Sequence, residues 1–153
     1  MSRRDQIRMS DAEVEEFLQG RHVMNIASFG PDGHIHLVAM WYGFLGANTA
    51  FATFAKSQKV LNLQRDPRVT VLVEAGEQYE ELQGVEIVGR AIIHEDEAVK
   101  RAVATTVAAR YFGITDPEGL ELALAPLVNK RVSIEIVPER VVSWDHRKLG
   151  GVY

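Results

Sequence analysis

The 153-residue chain has no cysteine, which excludes a disulfide framework, a thiolate metal centre and a thiol nucleophile. It also lacks any apolar run of membrane-spanning length, and its charged start, Met1-Ser2-Arg3-Arg4-Asp5-Gln6, leads into no signal-peptide core. The sequence therefore predicts a soluble, cytoplasmic protein without a membrane partner. Basic residues are outnumbered by acidic ones, 17 against 21, for a formal charge of -4. No global positive field exists to hold nucleic acid. Nor is there a G-x-G-x-x-G, a Walker lysine loop or a G-x-S-x-G, which argues against Rossmann, nucleoside triphosphatase and serine-hydrolase readings.

What is present suffices for one domain spanning residues 1–153, since 46% of the residues are hydrophobic and no linker or repeat divides the chain. Ser10 and Glu13 have capping-box spacing and predict a first helix over about 10–20. Strands are expected at His22 to Phe29, His34 to Phe44, Thr49 to Phe54, Arg68 to Glu74, Val85 to His94 and Arg131 to Val137. A short helix from Ser57 to Arg65 interrupts them, and helices over Glu95 to Phe112 and Pro117 to about Val128 precede the last strand. So many antiparallel hairpins in so short a chain favour a closed or split barrel over a parallel doubly wound sheet.

Lys56, Ser57 and Lys59 fall where a strand hands over to a helix. A phosphate suits such a place, because unpaired amides point at it and lysine and hydroxyl groups add charge-assisted bonds. The plainer alternative is a solvated helix start whose serine is only a cap. Met40-Trp41-Tyr42-Gly43-Phe44 reads either as an aromatic pocket wall or as core or dimer interface. His34 and His36 lie two apart but have no third clustered ligand, so no metal site is expected. Glu77, Glu80 and Glu81 read as a solvated loop. The tail over 143–153 contains Trp144-Asp145-His146-Arg147-Lys148, and a tryptophan there predicts docking on the body or on a second subunit.

Ser57-Gln58-Lys59, followed by Leu63 and Asp66-Pro67-Arg68-Val69, resembles the phosphate-binding segment of the pyridoxamine 5'-phosphate oxidase-like split-barrel superfamily. Asp32-Gly33-x-x-His36, Met40-Trp41-Tyr42, Gly84 to Gly89 and Trp144-Asp145 fit the same pattern. Within it, the Ser143 to Gly150 tail is similar to that of a subgroup of the actinobacterial flavin/deazaflavin oxidoreductases, group B. The resemblance implies a six-stranded antiparallel split β-barrel, mainly β with flanking helices. It also implies a homodimer with cofactor sites at the subunit interface, and the deazaflavin F420, or alternatively FMN, as cofactor.

The same resemblance assigns the cofactor phosphate to Ser57 and Lys59, with Thr53 and Lys56 nearby. Many relatives carry arginine where Ser57 stands, so Lys56 is expected to supply that charge. Val38, Ala39 and Met40 would lie along the ring system, with Trp41, Tyr42 and the partner's Lys130, the partner's Arg131 and the partner's Trp144 as neighbours. Lys56, Arg65 and Arg68 are expected to form a basic path for the anionic tail of F420. A flavin-type cofactor carries the hydride chemistry itself, which accounts for the lack of a catalytic triad. The implied activity is F420-dependent reduction of a small unsaturated molecule, with Tyr42 or His36 as candidate proton donors. A non-catalytic cofactor- or haem-binding protein is the remaining reading, with His22, His36 and His94 as nominal haem ligands.

Overall fold

A computed structural model describes residues 2–151. Two N-terminal helices, α1 (Arg3–Ile7) and α2 (Asp11–Gly20), precede strands β1 (Met24–Phe29), β2 (Ile35–Met40), β3 (Gly43–Leu45) and β4 (Asn48–Phe54). Helix α3 (Gln58–Arg65) leads to β5 (Arg68–Ala75) and β6 (Gln83–His94). Helices α4 (Glu97–Phe112) and α5 (Pro117–Val128) come before β7 (Arg131–Asp145), and a 3-10 turn (His146–Leu149) follows it. All strands form one antiparallel sheet in the order β2-β1-β5-β6-β7-β4-β3. The split-barrel expectation holds, in the form of a curled half-barrel with flanking helices.

Alternation builds the core. Met24 and Ile26, Val71 and Val73, and Ile134 and Ile136 each lie two apart on a strand, and all are almost completely buried together with Phe51, Val60 and Val85. Successive strand residues point to opposite faces, so each of these pairs turns inward together. α2 starts where expected, with Ser10 and Glu13 exchanging capping bonds. Asp96 and Asp116 cap α4 and α5, which pack on each other through Ala104, Leu124 and Val128. No helix of the described residues is long and apolar enough to cross a membrane.

Among the described residues the strands number seven rather than six, because the expected strand from His34 to Phe44 breaks at Trp41-Tyr42. β2 pairs only with β1, through Met24↔Met40. β3 pairs with β4 through Gly43↔Ala50, Phe44↔Thr49 and Leu45↔Asn48. Continued in register past Gly43, that ladder would place Met40 opposite Thr53. It stops instead, and Phe51 to Phe54 keep β7 as their one ladder partner. Among the described residues, β2 and the Phe51 to Phe54 stretch of β4 thus each keep one edge without a ladder partner, and the slot is this unladdered interval between them.

The last strand also runs past its expected end at Val137 to Asp145. Consequently Ser143, Trp144 and Asp145 belong to the sheet, not to a tail. Trp144 pairs with Gly84, and a Cβ built there would lie 2.1 Å from the indole. The Asp145 carboxylate takes two bonds from the Arg147 guanidinium, at 2.9 and 2.7 Å. Lys148 donates to the Arg8 carbonyl at 2.9 Å and to Glu13 at 2.7 Å. The described segment Asp145 to Lys148 docks on the body of its own chain, and residues 152 and 153 of the expected tail lie outside the described residues.

Candidate cofactor site

Ser57 sits at the N-cap of α3, where its carbonyl accepts from the Val60 and Leu61 amides at 3.1 and 3.2 Å. Its hydroxyl makes no capping bond and lies 3.4 Å from Thr53 Oγ1. Lys59 Nζ donates to that same Thr53 oxygen at 3.1 Å. β4 delivers Thr53, buried, to the foot of the helix, while the cross-strand pair Phe54↔Arg131 brings in a second cation. The Arg131 guanidinium lies 4.2 Å over the Phe54 ring, and its Nε donates to the Pro126 carbonyl at 3.1 Å.

Burial, and secondarily the charge of Arg131, hold the Lys59 ammonium below its ordinary pKa. Among the described residues no carboxylate forms an ion pair with either cation, and the Gln58 and Lys59 amides have no acceptor. The Lys59 ammonium without a carboxylate partner, a Ser57 hydroxyl that caps nothing and open helix amides make a place for an anion with several oxygens.

The structure brings together Thr53, Ser57 and Lys59 and places the other expected residues apart from them. Arg131 of the same chain lies near enough to lower the Lys59 pKa, with its guanidinium over Phe54. Lys56 is exposed and makes no contact in the cluster. Arg65 is spent on the Phe29 carbonyl at 2.6 Å, and Arg68 forks onto Asp66 at 3.1 and 2.6 Å. The expected basic path is therefore reduced to Lys56. Lys130 is exposed, adopts a left-handed φ of 58° and accepts from the Ala55 amide at 3.0 Å.

Val38, Ala39 and Met40 line the free edge of β2, where main-chain donors and acceptors face the slot. Trp41 follows, 49% exposed, stacked on Tyr111 at 4.2 Å with 13° between the rings. Tyr42 is not a proton donor for this site. It is fully buried, donates its hydroxyl to the Leu18 carbonyl at 2.5 Å and is pushed up by burial to a pKa of about 12. His36 is half-buried with Nδ1 unpartnered and shares a groove with Gln58 and the β1–β2 turn.

Trp144 lies 13 residues beyond Arg131 on β7, on the order of 40 Å along an extended strand. Within one subunit the two do not share a small ligand. Of the nominal haem ligands, His94 holds Glu135 at 2.8 Å and His22 packs edge-on against Tyr111.

Sequence reasoning placed α4 as a helix but missed its part at the site. Tyr111, Arg110 and Thr106 hold the backbone of Tyr42 and Phe44. The only signal was a cationic and aromatic Arg110-Tyr111-Phe112 closing an otherwise alanine-rich helix.

The curled sheet with its split edge and the anion-suited start of α3 define a split-barrel protein. The chain belongs to the pyridoxamine 5'-phosphate oxidase family, whose model matches residues 10–145. It is similar to the conserved hypothetical protein Rv2991 of Mycobacterium tuberculosis, with 41% identity and a TM-score of 0.93, over 100% of this chain and 95% of that one. A solved F420 reductase shares 24% identity at a TM-score of 0.63, covering 83% of this chain and 94% of its own. The haem storage protein HutZ of Vibrio cholerae shares 15% identity at 0.67, covering 87% and 94%. Likeness at these two lower levels shows the fold alone. No curated protein sequence matches.

Proposed function

We propose that the protein is a homodimeric oxidoreductase that binds the deazaflavin F420 through its phosphate and passes hydride to a small unsaturated molecule. The observation that carries this is Lys59, without a carboxylate partner, bonded to Thr53 beside the Ser57 hydroxyl that caps nothing, with Arg131 near enough to lower its pKa. From there the slot leads to the free edge of β2, where main-chain groups at Val38, Ala39 and Met40 can meet the polar rim of a ring system. The cofactor supplies the hydride chemistry, and the chain supplies position and a site of low polarity. His36 or solvent delivers the accompanying proton, since the Tyr42 hydroxyl is committed elsewhere.

FMN is the second reading, and a specific observation favours it. Arg65 and Arg68 are bound to Phe29 and Asp66, so only exposed Lys56 remains to guide an anionic tail beyond the phosphate. Haem is less well supported, because His94 is tied to Glu135 and His22 to Tyr111. Titrating the purified protein with F420 and with FMN, followed by cofactor fluorescence, separates these readings. Tighter F420 binding supports the proposal. Equal affinities, or FMN co-purifying in stoichiometric amount, move the assignment to FMN, and binding of neither overturns both.

A further inference from the structure

We infer that Tyr111 is a positioning residue: its hydroxyl holds the β2–β3 break in the shape that keeps the slot open, without touching what binds there. This rests on the cofactor reading for its ligand, but not for its geometry. In an unbroken strand, the amide and carbonyl of residue 42 would belong to a ladder. Here the Tyr42 amide donates to Tyr111 Oη at 2.8 Å, and the Tyr42 carbonyl accepts from Arg110 Nε at 3.1 Å and lies 2.9 Å from Tyr111 Oη. One turn earlier on α4, Thr106 Oγ1 accepts from the Phe44 amide at 2.9 Å. Side chains of α4 thus take the backbone groups of Tyr42, at the break, and the Phe44 amide, on edge strand β3, that no strand partners.

The clamp is itself fixed. Tyr111 Oη donates to the His22 carbonyl at 2.6 Å, and Arg110 also donates to the Gln19 carbonyl at 2.9 Å and to the Arg21 carbonyl. β3 is pressed so closely on α4 that a Cβ at Gly43 would lie 2.1 Å from Thr106 Oγ1. These bonds and the close packing fix the break between β2 and β3, through which Met40 is tied to the strand that carries Thr53. A site formed in advance binds more tightly than one that must be selected from an ensemble, in proportion to the fraction of molecules that hold the competent shape.

Tyr111→Phe removes one oxygen, keeps the ring under Trp41 and leaves the Tyr42 amide without an acceptor. A buried donor left unpaired costs enough to lower the competent fraction about tenfold. Stopped-flow binding of F420, and of FMN, should show the association rate down about tenfold with the dissociation rate changed less than twofold. Hydrogen exchange of the ligand-free variant should be faster across residues 38–43, beyond the Tyr42 amide itself. Thr106→Val should shift both readouts in the same direction by a smaller amount, and it serves if Tyr111→Phe fails to fold. An unchanged affinity, or a loss carried by faster dissociation, would overturn the inference. If the parent binds neither cofactor, the cofactor reading falls on its own. In that case exchange decides the clamp, and unchanged protection across residues 38–43 sinks it.

Discussion

At the scale of the residue, the site depends most on Lys59. Replacing it with alanine removes one charge-assisted bond to a phosphate and leaves the barrel's apolar positions intact. Cofactor affinity should fall about ten- to more than a hundred-fold at an unchanged melting temperature, with Lys59→Arg retaining part of the binding. Equal binding by Lys59→Ala and the parent would return Ser57 to the role of an ordinary helix start. Because burial and Arg131 already lower the Lys59 pKa, the ammonium deprotonates earlier in the alkaline range than an ordinary lysine. Affinity should accordingly decline at a lower pH than for the Lys59→Arg protein, as measured by titrations between about pH 8 and 10. Ser57 and Lys59 were legible because they adjoin a strand-to-helix junction in the chain itself. Arg131 as a same-chain neighbour was not, since only the register Phe54↔Arg131 places it there. The core reading of Met40 to Phe44 holds at Tyr42, but its bond to the Leu18 carbonyl was not legible, because it depends on where α2 is packed.

Elements were legible where a local pattern decides them, as with the capping box of α2 and the stop of α3 at Asp66-Pro67. They were misread where tertiary structure overrides the pattern. Pro138-Glu139-Arg140 reads as the end of a strand, yet β7 continues through it. The bulge at Val88/Gly89 puts Pro138 opposite Gly89, where a missing amide is tolerated. The extended end of β7 makes its own predictions. Gly84→Ala places a methyl group against the Trp144 ring and should cost about 1–3 kcal/mol in denaturant unfolding. An unchanged midpoint would mean that the indole has free room to move. Asp145, nearly buried, has its pKa held below 3.8 chiefly by the hydrogen bond from Arg147. A depressed carboxylate adds stability above its unfolded pKa and loses it as pH falls through the folded one. Asp145→Asn should therefore be less stable than the parent near neutrality, and that gap should narrow in acid. A gap independent of pH would show that the carboxylate's charge is not what holds the terminus.

At the scale of the whole molecule, the outer face of the sheet is unlike a free surface. Ile35 and Leu37, on the edge strand β2, are 65% and 67% exposed, and Phe29, Ile92 and Val141 are also largely uncovered. A groove of about 280 Å³ runs beside them between Phe29, Ile35, Arg68, Val88 and Glu139. An exposed apolar edge strand invites pairing, which native proteins normally blunt with charge or cover. A second copy of the chain is the cover proposed here, and it would also give the slot an outer wall and bring the partner's Trp144 within reach of a shared ligand. Analytical ultracentrifugation should find a dimer at micromolar concentration. Leu37→Asp sets a carboxylate in the middle of the strip and touches no buried position, so it should yield a folded monomer with an unchanged circular dichroism spectrum. If the cofactor sites lie between subunits, that monomer should also bind F420 and FMN at least about tenfold more weakly, since it lacks the hydrogen bonds and apolar contacts of the second wall. A dimeric Leu37→Asp protein would place the interface elsewhere on the sheet. A monomeric variant with undiminished cofactor affinity would confine the whole site to one subunit and leave Trp144 as a purely structural partner of Gly84.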